Sequence, residues 1–231
     1  MVTWNNLDTL ASYQELKDTV KVNLAEVMTG ENGAERVKNY SIPMAAGFTY
    51  NYAAKAVDDN VLAALVKLAD EAQLADKFKE LYNGAVINTG ENRLVLHHMT
   101  RGQLGDAVTA DGVDKRAFYV EQQNRIADFA NKVHAGEITN AAGEKFTTVV
   151  QIGIGGSDLG PRAMYLALEN WAKKNNTFKM EAKFISNVDP DDAAAVLNSI
   201  DVAHSIFVLV SKSGTTLETL TNESFVKDAL K

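Results

Sequence analysis

The sequence has no cysteine among its 231 residues. Disulfide bonds, thiolate zinc sites, iron–sulfur clusters and a cysteine nucleophile are therefore excluded. A chain without cysteine also fits a reducing compartment, so we expect a cytoplasmic location. Proline is scarce as well, with three residues, and no proline-rich linker interrupts the chain.

Basic residues and long apolar runs are also in short supply. The chain carries 23 Lys and Arg against 30 Asp and Glu, for a formal net charge of -7. Because nucleic-acid backbones are bound through clustered Lys and Arg, no nucleic-acid partner is expected. No apolar run approaches the roughly 20 residues that span a bilayer, and residues 1–6 lack the basic and apolar regions of a signal peptide. We therefore expect no membrane partner.

The residues that are present, 46% hydrophobic and 23% charged, are typical of a folded globule. Residues 1–140 are predicted to form a helical N-terminal region, because their apolar residues recur at spacings of three and four. The predicted helices cover residues 12–28, 61–68, 74–81 and 119–133. Gly30, Gly84 and Gly136 are expected to close the first, third and fourth helices, and Asp58, Asp59 and Asn60 are candidate caps of the second.

After Gly143 the pattern changes to apolar runs that alternate with helical stretches, which indicates parallel βαβ units. Strands are predicted at residues 146–152, 183–188 and 205–210, and helices at 161–174, 191–199 and from 215 onward. The fold class is therefore α/β, with residues 141–231 as the first part of a parallel-sheet domain. Doubly wound sheets usually have about five or six strands, so we expect this domain to be truncated at its C-terminus.

A glycine-rich turn links the first strand to the next helix. Gly153, Gly155 and Gly156 are followed by Ser157 and Asp158. Glycines bring a ligand close to bare N–H groups at a helix N-terminus, so the turn suits an anion or a polar sugar, although a simple tight turn has the same pattern. A dinucleotide fingerprint would need glycine at position 158, so a nicotinamide cofactor is not predicted.

A polar loop rich in hydroxyl groups follows the third strand and consists of Ser211, Lys212, Ser213, Gly214, Thr215 and Thr216. Hydroxyls, a lysine and backbone N–H groups at a helix N-terminus are the donors that a phosphate monoester needs. The alternative is a helix-capping cluster, but capping needs one hydroxyl rather than several. Lys212 precedes the glycine, so the loop is not a nucleotide P-loop. Both loops leave the carboxyl ends of strands, where ligands collect.

Four motifs together resemble the phosphoglucose isomerase (glucose-6-phosphate isomerase) family, in the order typical of its N-terminal portion. They are NTGENR at residues 88–93, followed by His97 and Arg101; VQIGIGGSDLGP at 150–161; SNVD at 186–189; and SKSGTT at 211–216, followed by Glu218 and Thr219. The combination is specific to the family, whereas the last motif alone would fit any sugar-isomerase (SIS) domain.

The resemblance implies a three-layer SIS fold and reversible isomerisation of glucose 6-phosphate and fructose 6-phosphate, in glycolysis and gluconeogenesis. It further implies a homodimer in the full-length protein, without cofactor or metal. The family's sugar-contacting turn maps onto Gly156 and Ser157, and its phosphate loop onto residues 211–216. Ser213 and Gly214 replace a threonine and an aromatic residue found in one branch of the family, a change that keeps a hydroxyl.

The family's catalytic groups, a Glu, an Arg and a His with a Lys, belong to segments that we do not find between residues 1 and 231. The resemblance therefore implies that this chain supplies the sugar-phosphate-binding half, is inactive alone, and has no catalytic residue of its own. The alternative is a non-catalytic SIS module that senses a phosphosugar. Such a module would keep the hydroxyl loop, whereas the glycine-rich turn and the motif containing Glu91 and Arg93 favour the isomerase.

Histidines present no catalytic pattern. Of the adjacent His97 and His98, one is expected to be packed and the other solvated, because neighbouring residues of a helix point in different directions. His134 is expected to act as a cation at a helix C-terminus, and His204 has no evident partner.

Acidic residues are likewise assigned to structure. Asp191 and Asp192 are expected to cap a helix rather than bind a metal. Glu91 and Arg93 are expected to brace a loop near the site, and Glu218 to favour the dipole of its helix.

Overall fold

A computed structural model describes residues 2–103 and 105–231. The chain forms two compact units, one up to Val120 and one from Glu121 to Lys231. The boundary lies inside the longest helix, α6 (Lys115–Ala135), which ends before Gly136 as predicted. This helix, which the sequence assigns to the N-terminal region, therefore places most of its length in the second unit.

The first unit contains five helices before α6 in its described residues: α1 (Ala11–Asp18), α2 (Leu24–Thr29), α3 (Gly33–Asn39), α4 (Asp59–Glu71) and α5 (Leu74–Tyr82). Two of the predicted helices are confirmed as α4 and α5. The Asp58 carboxylate accepts a hydrogen bond from the N–H of Val61 at 2.8 Å and caps α4. Gly84, with φ of +78°, follows α5 in the left-handed conformation.

The single opening helix predicted at residues 12–28 is wrong, since α1 and α2 are separated by an extended segment. Thr19 leaves the helical region with ψ of 146°, and its hydroxyl donates to the carbonyl of Leu16 at 2.7 Å. Asn23 then caps α2 by accepting from the N–H of Glu26. The segment between them is rich in β-branched residues, which lowers its helix propensity.

The residue at the cap position of helix α1 is Leu10, whose side chain cannot accept a hydrogen bond, and a carboxylate from α4 takes that place. Glu71 accepts hydrogen bonds from the N–H of Ser12 at 2.8 Å, from the Ser12 hydroxyl, and from the N–H of Ala11 at 3.3 Å. The side-chain hydrogen bond with Ser12 lowers the pKa of Glu71. A tertiary contact thus satisfies N–H groups that a local cap would otherwise serve.

Three short hairpins complete the first unit and were not predicted. They pair β1 (Ser41–Pro43) with β2 (Thr49–Asn51), β3 (Val86–Asn88) with β4 (Arg93–Leu94), and β5 (Thr109–Ala110) with β6 (Val113–Asp114). Strands of two or three residues are too short to show an alternating pattern. A small core of Leu96, Met99 and Val108 lies beside them.

The second unit confirms the predicted α/β alternation. After α6 it contains β7 (Thr148–Ile152), α7 (Leu159–Lys174), β8 (Glu181–Ile185), α8 (Pro190–Asn198), β9 (Ser205–Leu209) and α9 (Leu217–Ala229). The three strands form a parallel sheet in the order β8-β7-β9. In this register Ile152 pairs with Ile185 on one side and with Leu209 on the other.

The two faces of this sheet are covered differently. On one face Val150, Ile152 and Ile185 pack with Ala193 of α8 and Val226 of α9, all almost fully buried. The opposite face opens into a groove of about 830 Å³, which we call the apolar groove; its lining includes Ile126 and Phe129 of α6, Met164 and Leu168 of α7, and Ile206 and Val208 of β9. No helix in the described ranges is both long and apolar enough to cross a membrane.

Candidate functional site

The two loops singled out in the sequence begin side by side at the carboxyl edge of the sheet. Strand β7 is central, and the chain passes from β8 on one side of it to β9 on the other. The N–H of Val210 donates to the carbonyl of Ile152 at 2.9 Å, so the strands stay paired up to the point where both loops start. The crevice between β7 and β9 is a topological switch point, the usual ligand position in open α/β sheets.

The glycine-rich turn, residues 153–158, is a single tight turn that exposes backbone. Gly155 has φ of +57°, a conformation that glycine adopts without strain. The N–H of Ser157 donates to the carbonyl of Ile154 at 3.1 Å, and that of Asp158 donates to Gly155 at 3.0 Å. Gly156 is exposed, and its N–H makes no hydrogen bond within the described residues. The turn therefore presents a bare amide beside Ser157.

The end of the turn is anchored to α7 by an ion pair. Asp158, which is 3% exposed, accepts from Nε of Arg162 at 3.0 Å and lies 3.0 Å from a terminal nitrogen of the same guanidinium. The guanidinium lies 4.9 Å from the ring centroid of Phe184 on β8. The buried carboxylate is thus paired, as a buried charge must be.

Hydroxyl groups converge in the hydroxyl loop, residues 211–216. The Ser211 and Thr216 hydroxyl oxygens lie 2.9 Å apart, and those of Ser213 and Thr216 lie 3.4 Å apart. Ser211 also accepts from the N–H of Gly214 at 3.0 Å, and Ser213 accepts from the N–H of Thr215 at 3.2 Å. These contacts fold the loop into a compact cradle of hydroxyls at the start of α9.

The capping interpretation of these hydroxyls is wrong. Thr216 occupies the cap position of α9, yet no described side chain caps that helix, because the hydroxyls bond to one another and to the loop. Helix α8 provides the contrast, since the Asp189 carboxylate accepts from the N–H groups of Asp191 at 2.9 Å and Asp192 at 3.4 Å. Asp189 is therefore the cap that the sequence assigned to Asp191 and Asp192. The first N–H groups of α9 are left without a capping side chain, the arrangement that suits an anion.

Lys212 contributes positive charge to the same loop. It is exposed and forms no salt bridge with the described residues. Glu218 lies in the first turn of α9, as expected, and is also exposed. The loop thus combines hydroxyls, amides and a cation.

The adjacent histidines match the sequence interpretation, and the role of His134 stays a prediction. His98 packs against Tyr82 with ring centroids 4.4 Å apart, whereas His97 is exposed, and His134 lies in the last turn of α6. The prediction that His204 has no partner is wrong, as its two ring nitrogens are bonded to carboxylates.

His204 joins two acidic side chains. Its Nδ1 lies 2.9 Å from Asp201, and its Nε2 lies 3.0 Å from Glu144. The side-chain hydrogen bond with Asp201, followed by the interactions with Glu144, raises the pKa of His204. Asp201 lies three residues upstream and could have been noticed, but no sequence signal links His204 to a residue 60 positions away.

Glu91 and Arg93 belong to the first unit, at the β3–β4 hairpin. The Glu91 carboxylate accepts from the side-chain amide of Asn88 at 2.7 Å, which closes the turn between the strands. A role for these residues at the binding site stays a prediction. Within the described residues, no group of three or more His, Asp or Glu side chains is arranged to hold a metal ion.

Sequence reasoning missed two polar residues next to the site. Gln151 of β7 donates to the carbonyl of Ser157 in the glycine-rich turn. Asn222 of α9 is 2% exposed and donates to the carbonyl of Asn187, which joins α9 to the segment after β8. The signal was available, because each is a polar residue at a position where the local period predicts an apolar one.

Comparisons with known proteins agree on one family. The family model described as phosphoglucose isomerase matches residues 51–231. The glucose-6-phosphate isomerase of Treponema denticola is 55% identical over 99% of this chain and 44% of its own length. That of Treponema pallidum is 50% identical over 100% of this chain and 44% of its own length.

A solved structure supports the same relationship. The crystal structure of a glucose-6-phosphate isomerase from Chlamydia trachomatis superposes with a TM-score of 0.73 and 34% identity. The alignment covers 97% of this chain and 42% of that one. The chain thus spans less than half the length of the relatives that it matches.

Proposed function

The chain belongs to the phosphoglucose isomerase family, and from this premise we propose that it provides the sugar-phosphate-binding part of a glucose-6-phosphate isomerase. The reaction is the reversible isomerisation of glucose 6-phosphate and fructose 6-phosphate, in glycolysis and gluconeogenesis. One observation carries the proposal: the hydroxyl loop and the glycine-rich turn flank the same switch point.

In this proposal the phosphate of the substrate lies in the hydroxyl loop. The hydroxyls of Ser211, Ser213, Thr215 and Thr216, the backbone of Gly214 and the ammonium of Lys212 surround a position at the uncapped start of α9. Hydroxyl and amide donors together with a helix N-terminus stabilise a dianion. The loop needs no metal to do so.

The body of the sugar lies against the glycine-rich turn. Gly156 offers an N–H that bonds to none of the described residues, and the adjacent Ser157 offers a hydroxyl that donates and accepts. Because β7 and β9 are neighbours about 4.8 Å apart, one hexose phosphate can reach both loops. A separate binding event for each loop is not required.

Catalysis requires groups that belong to family segments with no match in this sequence. Proton transfer between C1 and C2 needs a carboxylate, and ring opening needs an acid–base pair. We propose that these groups lie in the part of the relatives that the chain does not span, within a cofactor-free, cytoplasmic homodimer. A coupled assay should detect no isomerisation of fructose 6-phosphate by this chain alone, with the full-length Treponema denticola enzyme as the positive control.

Ligand titration tests the assignment of the phosphate position. Isothermal titration of the chain with fructose 6-phosphate should show binding, and Ser211→Ala and Thr216→Ala should each weaken it by about 1–3 kcal/mol, because each variant loses a hydrogen bond to a charged group.

Ser224→Ala is the matched control for this titration. Ser224 lies on α9, the helix that follows the hydroxyl loop, is exposed, and its hydroxyl donates to the carbonyl of Leu220. Its removal should leave the affinity unchanged. Wild-type affinity in both loop variants would overturn the phosphate assignment.

A further inference from the structure

Gln151 is a polar residue inside the apolar strand β7. Its neighbours Val150 and Ile152 face the core, so Gln151 faces the opposite side of the sheet, where its partners in register are Phe184 and Val208. A half-buried carboxamide among apolar neighbours is costly unless it is hydrogen-bonded. A specific partner is therefore expected for it.

That partner lies in the glycine-rich turn. The Nε2 of Gln151 donates to the backbone carbonyl of Ser157 at 2.7 Å. The same carbonyl also lies close above Gly153, where a Cβ atom would stand 2.7 Å from the carbonyl oxygen. Gln151 and Gly153 therefore both constrain the position of the Ser157 carbonyl, the first by a hydrogen bond and the second by a close contact.

Fixing this carbonyl fixes the amides around it. The peptide that joins Ser157 to Asp158 is planar, so its carbonyl and its N–H turn together. That N–H donates to the carbonyl of Gly155, at the start of the turn. The N–H of Gly156 belongs to the same planar peptide as the Gly155 carbonyl, so its direction follows from this hydrogen bond.

The second anchor of the turn does not replace this one. Asp158 is paired with Arg162, which belongs to the helix that follows the turn. This pair joins the turn to α7, whereas Gln151 joins it to the sheet. The N–H of Gly153 also donates to the carbonyl of Ile185 at 3.2 Å, but this bond holds only the start of the turn. The sheet also carries the hydroxyl loop, so Gln151 holds the far end of the turn, at Ser157, relative to the strand edge shared by both loops.

We propose that Gln151 is a positioning residue, whose carboxamide holds the glycine-rich turn in the orientation in which Gly156 and Ser157 meet the body of the sugar. The inference rests on the proposed function, since it assumes that a sugar phosphate lies across both loops. Among the described residues, Gln151 donates to the carbonyl of Ser157 and the hydroxyl loop bonds within itself, so phosphate binding should not depend on Gln151. Loss of the carboxamide should therefore separate affinity for sugar phosphate from affinity for phosphate.

The test compares two ligands on three variants of this chain. Gln151→Met keeps the length of the side chain and removes its donor, and should raise the Kd for fructose 6-phosphate by about 2- to 10-fold, the factor that one neutral hydrogen bond provides. The Kd for inorganic phosphate should stay unchanged. Gln151→Glu, which sets a carboxylate against the carbonyl, should have the larger effect. Gln122→Met, on α6 of the same unit, should change neither constant.

Amide hydrogen exchange measures the turn itself. Exchange at Ser157 and Asp158 should be faster in Gln151→Met by a similar factor, because both N–H groups bond within the turn. An equal loss of affinity for both ligands, unchanged affinity for both, or unchanged exchange would overturn the inference. If the wild type binds neither ligand, the proposed function fails, and the exchange measurement alone decides whether Gln151 holds the turn.

Discussion

At the scale of single residues, Gly153 is required by a close contact rather than by its backbone angles. A Cβ atom at this position would lie 2.7 Å from the carbonyl oxygen of Ser157 and 3.1 Å from its Cβ. Backbone is the obstacle, and it cannot move aside as the end of a flexible side chain can. The first glycine of the turn therefore permits the close approach of strand and turn.

Gly153→Ala should consequently destabilise the second unit by about 1–3 kcal/mol, the usual range for an overpacked position. Urea denaturation measures the change. Gly160→Ala is the matched control, since a Cβ there meets open space within α7, and alanine should stabilise the helix by up to about 1 kcal/mol. Equal stability of Gly153→Ala and the wild type would contradict the described contact.

At the scale of elements, His204 joins the connection before β7 to the start of β9. Its imidazole lies between Asp201 and Glu144, and its backbone carbonyl accepts from the N–H of Thr147 at 2.9 Å. The side chain of Asn140 donates to the carbonyl of Ala203 at 3.1 Å in the same region. The amino edge of the sheet is therefore held by bonds between segments far apart in sequence.

The stabilisation from His204 should depend on pH. The hydrogen bond with Asp201 raises the pKa of His204 above 6.5, so the protonated form stabilises the fold fully below pH 6.5, and that stabilisation is lost as pH rises through the raised pKa. The pKa of Asp201 is lowered from 3.8, so its own contribution is lost only in stronger acid. The free energy of unfolding of the wild type should therefore exceed that of His204→Gln most between about pH 4 and 6.5.

The control repeats the His204→Gln substitution in a protein from which both partner carboxylates have been removed. In the background Asp201→Asn with Glu144→Gln, His204→Gln should lose this pH-dependent difference, because the protonated imidazole no longer faces a negative charge. A difference between wild type and His204→Gln that grows from pH 6 to pH 9 would have the wrong sign and would refute the assignment.

At the scale of the whole molecule, the second unit has one packed sheet face and one open one. Parallel sheets are normally covered on both faces, yet the apolar groove leaves side chains such as Met164 and Leu168 more than half exposed. Its volume of about 830 Å³ lies within the range of small-molecule pockets, about 300–1,000 Å³. An apolar dye should therefore enter it.

We expect anilinonaphthalene sulfonate to fluoresce with the native chain, and Leu168→Lys to reduce that fluorescence strongly, because a charge in the groove opposes dye binding. Leu166→Lys is the matched control. Leu166 lies on the same helix with similar exposure, 59% against 53%, but does not line the groove. Equal fluorescence of both variants would show that the dye binds elsewhere.

Local chemistry made much of this molecule predictable. Buried parallel strands are continuous apolar runs, so β7, β8 and β9 were identified to within a few residues, and the helices between them followed from their periodicity. Asp58 and Gly84 marked the ends of α4 and α5 for the same reason, since capping and left-handed turns depend on a few neighbouring atoms. The glycine-rich turn and the hydroxyl loop were likewise visible as local composition.

Contacts between distant residues were decided by packing, because no short-range preference encodes them. The strand order that puts β7 beside β9, the bond from Gln151 to the turn, and the carboxylate of Glu71 at the start of α1 all depend on how separate elements meet. The pairing of His204 with Glu144 is of this kind too. The sequence by itself therefore determined the composition of the two loops and predicted a phosphate-binding role for one of them, whereas only the folded sheet brought both loops to one crevice.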